Sequence, residues 1–165
     1  MEKYVSRVAG NIRLLLLALI LGITGTAFAQ KQTPKSPWFF IQISDPQLGM
    51  FDNNKSFEKE TILYETAVNK INKLNPDFVV IKGDFVYDPN VASQIEDFKR
   101  ITSKINSKIS LYYIQGNHDV GKSHNKTSVN KYKKNYESVK FSFDHKGSSF
   151  IGINSGFIMA NLADP

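Results

Sequence analysis

Ile109-Ser110-Leu111-Tyr112-Tyr113-Ile114-Gln115-Gly116-Asn117-His118-Asp119 sets an apolar, β-branched run directly against four residues that punctuate it and carry chemistry. The run reads as a buried strand, and Gly116 marks where the backbone turns at its end. Two further stretches are built alike. Phe78-Val79-Val80-Ile81-Lys82 ends in Gly83-Asp84, and Trp38-Phe39-Phe40-Ile41-Gln42-Ile43-Ser44 ends in Asp45-Pro46-Gln47. A single Asp after Gly closes many ordinary turns. Three such tips in one chain argue differently. On parallel strands they would gather Asp45, Asp84, Asn117 and His118 at one sheet edge, and open α/β sheets place their active sites at that carboxyl edge.

The connecting segments support parallel strands. After the first tip, Ser56 is placed to N-cap a helix with Glu58 and Glu60 in its first turn. Tyr64, Ala67, Val68, Ile71 and Leu74 follow at helical spacing, and Asn75-Pro76 stops the run. A second amphipathic helix carries Ile95, Phe98, Thr102 and Ile105 on one face. The order is then β-α-β-α-β, which favours a parallel sheet. The nearly continuous apolar run Trp38 to Ser44 predicts a first strand covered on both faces. Val120 to Lys134 is polar and lysine-rich and reads as a loop, with at most a short helix near Tyr132. Val139 to Phe143 and Ser149 to Asn154, joined by Asp144-His145-Lys146-Gly147, predict a β-hairpin.

The 165 residues suffice for one domain, and the absence of cysteine excludes disulfides, thiolate metal sites and a cysteine nucleophile. Lys3, Arg7 and Arg13 outweigh Glu2 ahead of the apolar run Leu14 to Leu21, and Ala27-Phe28-Ala29 follows. That is the build of a secretory signal peptide over residues 1–29, cleaved after Ala29, which predicts a periplasmic or extracellular product with no membrane anchor. Removing residues 1–29 lowers the formal net charge from +6 to +4. Residues 30–37, with Pro34 and Pro37, read as a linker, and the folded region as 38–165. Lys126, Lys131, Lys133 and Lys134 read as a solvated face, so no stable nucleic-acid partner is expected. His124 and His145 stand in polar surroundings and read as surface residues.

Carboxylate and amide oxygens with a histidine nitrogen suit divalent ions such as Mn, Fe, Zn or Mg. Two such ions can clamp a phosphoryl group and make hydroxide available near neutral pH. Asp84 is the natural carboxylate to bridge them. His118 is placed to protonate a leaving alkoxide, with Asp119 or another acid to orient its imidazole.

Asp45-x-Gln47, Gly83-Asp84 and Gly116-Asn117-His118-Asp119, in this order, resemble the calcineurin-like metallophosphoesterase superfamily, in a subgroup with Gln in place of the usual His of the first motif. The resemblance covers roughly residues 38–157. It implies one half of a four-layer α/β/β/α sandwich, β-α-β-α-β followed by a hairpin. It gives Asp45 and Gln47 to a first metal, Asp84 to both metals, Asn117 to the second, and His118 the role of acid or transition-state stabiliser. It implies hydrolysis of phosphate monoesters or diesters on a small molecule or a phosphoprotein. The family completes its site with a further His and a Gly-His-x-His motif that this sequence lacks. The expectation is therefore the N-terminal half of a longer enzyme, with apolar surface exposed on its sheet. The alternative is a non-catalytic metal- or phosphate-binding module.

Overall fold

Three strands, β1 (Phe40–Ser44), β2 (Phe78–Lys82) and β3 (Ser110–Ile114), lie side by side in that order and run parallel. Phe40, Phe78 and Ser110 share the first row of the register and Ser44, Lys82 and Ile114 the last. The strands therefore leave the sheet level with one another, and the residues after each end up side by side. The computed structural model describes residues 36–121, 125–136 and 139–155. The expected signal sequence, most of the expected linker, His124 and residues 156–165 lie outside the described residues.

Helices α1 (Glu58–Leu74) and α2 (Ala92–Thr102) cover one sheet face. Tyr64, Val68 and Ile71 of α1 and Ile95, Phe98 and Ile101 of α2 are buried with Val79 and Ile81 of β2, and Ile41, Ile43, Leu111 and Tyr113 pack beside them. The α1 stripe follows the predicted spacing through Ile71, but Leu74, expected to continue it, is 58% exposed at the last turn of the helix. Helix α1 ends at Asn75, which is left-handed (φ 50°) and donates its N–H to the Ile71 carbonyl at 2.8 Å. Pro76 then cannot continue it. The N-cap differs from expectation: Phe57 occupies that position, and the Ser56 hydroxyl accepts the Glu58 N–H at 3.4 Å from one residue further out.

Strands β4 (Phe141–His145) and β5 (Ser148–Gly152) form an antiparallel hairpin. Its turn is the two residues Lys146-Gly147, both at positive φ (46° and 87°), as tight hairpin loops require. The hairpin docks on the second sheet face through aromatic rings. Phe143 stacks on Tyr112 at 3.9 Å, and Phe150 meets Phe78 edge-on at 4.9 Å. The sheet is thus covered on both sides, most completely at β2, where Phe78 to Ile81 are all buried. Strand β1 departs from the expectation of burial on both faces. It lies at the sheet edge, its residues alternate, and Phe40 remains 38% exposed. The apolar surface expected to be exposed on this sheet is confined to that edge strand, while Ile151 (72%) and Ile153 (60%) are exposed on the hairpin and just after it.

The largest departure is α4 (Lys126–Tyr136), an eleven-residue helix where a loop is expected. Its buried residues Val129, Tyr132 and Tyr136 recur at helical spacing, and the lysines occupy the rest of its surface. Asn125 Oδ1 accepts the Ser128 N–H at 3.0 Å, while the Asn125 N–H donates to Ser128 Oγ at 3.0 Å, a reciprocal cap. A polar composition with three apolar residues hides such a helix.

At the end of the sheet away from the motif tips, Asp77 accepts Lys146 Nζ at 2.6 Å, His145 Nε2 at 2.9 Å and the Phe39 N–H at 3.4 Å. This pins the hairpin turn to the sheet. The Lys146 ammonium, opposed by burial and aided by His145 and the Phe39 N–H, holds the Asp77 carboxyl below its ordinary 3.8. A lowered carboxyl contributes stability above its unfolded value and loses it as pH falls through the folded one. Asp77→Asn is expected to lower Tm by about 2–4 °C at pH 7. The difference from wild type should vanish as pH falls below 3.8, measured by thermal melts across pH.

Candidate active site

The first tip holds two non-glycine residues in the left-handed region, Asp45 (φ 53°) and Gln47 (φ 40°), on either side of Pro46. Each such residue costs about 1–3 kcal/mol and persists only where its surroundings impose it. Here the parallel ladder continues past the strand ends. Asp45 N–H donates to the Lys82 carbonyl (3.1 Å), Gln47 N–H to Asp84 (3.0 Å) and Leu48 N–H to Phe85 (3.2 Å), and Tyr87 N–H returns to Leu48 (3.0 Å). The first and second tips are zipped together, with the Asp45 carboxylate lying over Gly83. A Cβ on Gly83 would stand 2.9 Å from Asp45 Oδ1, and its φ of 76° also favours glycine.

Asp84 is buried and is the meeting point of all three tips. Its Oδ1 accepts the His118 N–H at 2.8 Å, and Gln47 Nε2 approaches Oδ2 at 3.5 Å. A Cβ on Gly116 would fall 2.1 Å from Asp84 Oδ1 and 2.5 Å from its backbone nitrogen, so only glycine fits against Asp84 there. Burial raises the Asp84 carboxyl above its ordinary value. The His118 N–H and the His118 charge pull it down, and the Asp45 charge raises it further.

His118 sits in the short helix α3 (Asn117–Val120). Its Nδ1 is 2.7 Å from the Tyr87 carbonyl oxygen, and the Tyr87 ring stacks on the imidazole at 5.1 Å and 25°. A carbonyl only accepts, so Nδ1 carries the hydrogen and Nε2 is the nitrogen left for other chemistry. The expectation that Asp119 orients this ring is corrected. Asp119 is buried, its Oδ1 accepting the Phe85 N–H (2.7 Å) and Val86 N–H (3.3 Å) and its Oδ2 the Gly116 N–H (2.8 Å). It staples the second tip to the third. Burial pushes its carboxyl up to about 8, against the pull of those N–H donors, with the Asp84 charge adding to the rise. The orienting group is a main-chain carbonyl, which no side-chain motif reveals. The Tyr87 ring, three residues after Asp84, is its one sequence trace.

Asn117 and His118 line a cavity of about 900 Å³ whose other walls come from Asn54, from Tyr87 to Asn90 and from the start of α4. The structure thus brings Asp45, Gln47, Asp84 and the main chain of His118 to one edge, with Asn117 and His118 also lining the adjoining cavity. A buried carboxylate, Asp84, with the exposed Asp45 carboxylate close beside it calls for a cation. An oxygen-rich donor set suits a hard divalent ion. Among the described residues no three His, Cys, Asp or Glu side chains are grouped to hold a metal. Gln47 and Asn117 would therefore have to extend the donor set. His145, read as a surface residue, is instead part of the Asp77 clamp.

A three-stranded parallel sheet with two crossover helices, a docked hairpin and tips bearing Asp-x-Gln, Gly-Asp and Gly-Asn-His-Asp define a class. The chain belongs to the calcineurin-like phosphoesterase family, whose model matches residues 40–162. Among curated proteins it is similar to the serine/threonine-protein phosphatase CPPED1 of Bos taurus, 36% identical over 139 residues (75% of this chain, 44% of the relative). The human protein of the same name is 35% identical over 153 residues (82% and 49%). The DNA double-strand break repair protein Mre11 of Methanococcus maripaludis is 32% identical over 95 residues (53% and 24%). The chain spans about half the length of the phosphatase relatives it matches.

Proposed function

We propose that the chain forms the motif-bearing part of a metal-dependent phosphoesterase acting on phosphorylated serine or threonine. The observation that carries this reading is the convergence of three strand tips on Asp84, one of them holding two residues in strained conformations. The phosphatase names of the relatives support the substrate. Asp45 and Gln47 would hold one divalent ion, Asn117 a second, and Asp84 would bridge them. Such ions, when bound, supply polarisation of the phosphoryl oxygens and a water of lowered pKa. The chain's own residues do the rest. The Asp84 carboxylate is kept in place by the His118 N–H, so metal site and acid are built on one hydrogen bond. The Tyr87 carbonyl holds the His118 proton on Nδ1. Protonated His118 then offers Nε2–H to the departing oxygen, and the stacked Tyr87 ring keeps the imidazole from turning. The basic, leucine-rich N-terminus supports export to the periplasm or cell exterior.

The full chain with manganese should hydrolyse para-nitrophenyl phosphate, and a range of diesters and monoesters would place its preference. His118→Gln is expected to lower kcat by about 10²–10⁴-fold with a small change in KM. Undetectable turnover by a folded, manganese-bound wild-type chain would favour the second reading, a non-catalytic metal- or phosphate-binding module. The shortage of His and acid groups at the site among the described residues speaks for that module.

A further inference from the structure

The cavity beside His118 presents a one-sided set of hydrogen-bonding groups. Four asparagines line it, and an amide can ordinarily both donate and accept. Three of them have already spent their oxygens inside the protein. Asn125 Oδ1 accepts the Ser128 backbone N–H at 3.0 Å, and Asn90 Oδ1 accepts Lys131 Nζ at 2.6 Å. Asn54 Oδ1 accepts Gln94 Nε2 at 2.7 Å, and the buried Gln94 is itself fixed because its Oε1 accepts the Asp88 N–H at 3.1 Å. Each oxygen faces a group that can only donate, so none of the three amides can flip without losing its bond. Among the described residues, the NH₂ groups of Asn54 and Asn125 are left uncommitted. So are the hydroxyl of Thr127 and two of the three N–H bonds of Lys131.

Acceptors are scarcer. Asp88 is the carboxylate among the described lining residues, and its Oδ1 is occupied by both the backbone (2.9 Å) and side-chain (3.0 Å) N–H groups of Asn90, so that its Oδ2 is the one carboxylate oxygen left uncommitted among them. Asn90 thus stands between Asp88 and Lys131, bonded to each. Lys131 forms no ion pair among the described residues and keeps its charge for the cavity. A lining rich in donors and carrying an ammonium matches a ligand rich in acceptors. Peptide carbonyls and carboxylate side chains are such a ligand, whereas sugar hydroxyls would leave their own donors poorly served. A volume of about 900 Å³ also exceeds what one sugar ring fills and suits several peptide residues.

We propose that this cavity is the leaving-group subsite and seats the acidic flank of a phosphoserine or phosphothreonine peptide, with Lys131 as the specificity-determining residue. The inference rests on the phosphoesterase reading, and it is tested by binding rather than turnover so that the two can fail separately. The probes are two peptides carrying a non-hydrolysable phosphonate analogue of phosphoserine, identical except that glutamates flank it in one and glutamines in the other. Titration calorimetry on the full chain with manganese should show the glutamate peptide bound about five- to ten-fold more tightly. That ratio should fall to near one in Lys131→Gln and persist in Lys134→Gln, which removes the same charge from an exposed position on the same helix. Equal affinities for the two peptides, a ratio unchanged in Lys131→Gln, or no binding of either would overturn the proposal. Glucose 6-phosphate binding more tightly than the glutamate peptide would overturn it too and assign the cavity to hydroxylated leaving groups. Peptide discrimination without any hydrolysis of para-nitrophenyl phosphate would leave the subsite standing and sink the phosphoesterase reading alone.

Discussion

Asp84→Asn is expected to weaken binding of manganese or zinc by at least about 100-fold and to lower phosphoester turnover by at least about 10³-fold. The substitution keeps the shape of the side chain and keeps an oxygen for the His118 N–H, which wild type bonds at 2.8 Å. What it removes is the charge. In the metal-free protein that charge is a burden, because burial and the nearby Asp45 both disfavour it. The metal-free variant should therefore melt no lower than wild type, or slightly higher, although its site is broken. Added metal should raise Tm in wild type through preferential binding to the folded state, and should leave the variant's Tm unchanged. The pairing of unchanged or raised intrinsic stability with a lost metal response separates a functional carboxylate from a structural one. A variant that melts well below wild type without metal would mean that Asp84 serves mainly as a tie between the strand tips.

Much of this site was legible because its parts are local. Gly83-Asp84 and Gly116-Asn117-His118-Asp119 stand directly after β-branched runs, and strand runs of equal build in a β-α-β-α-β order come into level register. Side chains at strand ends then become neighbours without any further folding information. What stayed hidden depends on main chain and on distance. The orientation of His118 comes from the Tyr87 carbonyl, and every residue has a carbonyl, so the stacked Tyr87 ring is the one mark that sequence carries of it. Asp119 looked like the orienting acid because it adjoins His118. Helical geometry points adjacent residues in different directions, and Asp119 turns inward to three backbone N–H groups. Helix α4 was hidden by composition, since its buried stripe is three residues among lysines and asparagines. It supplies the wall that carries Lys131, so the same blind spot concealed the cavity. Gly116 showed itself as punctuation, while its steric role against Asp84 needed coordinates.

Phe78→Ala is expected to cost about 3–5 kcal/mol, the largest loss of stability from any single side chain on the hairpin side of the sheet. Phe78 is 1% exposed and sits at the start of the central strand. Phe40 stacks on it at 4.9 Å and 7°, and Phe143, Phe150 and Tyr112 meet it edge-on at 5.1, 4.9 and 5.9 Å. Rings from both sheets thus converge on one side chain, and removing it leaves a void between them that a two-stranded hairpin is poorly placed to fill by collapse. A domain of ordinary stability has only about 5–15 kcal/mol to lose. Urea midpoints should show the loss. Phe78→Leu, which keeps most of the volume, should cost less than about 1.5 kcal/mol, while Ile151→Ala on the exposed side of the same hairpin should stay within about 0.5 kcal/mol. The consequence reaches the site through β2. Asp84 lies two residues beyond the end of the strand that this packing clamps, and both neighbouring strands take their register from that strand. A Phe78→Ala protein held folded at low temperature should therefore bind manganese more weakly than wild type, though no residue near the metal has changed. If its affinity matched wild type, the strand tips would be positioned by their own ladder of hydrogen bonds, and the hairpin would serve stability alone.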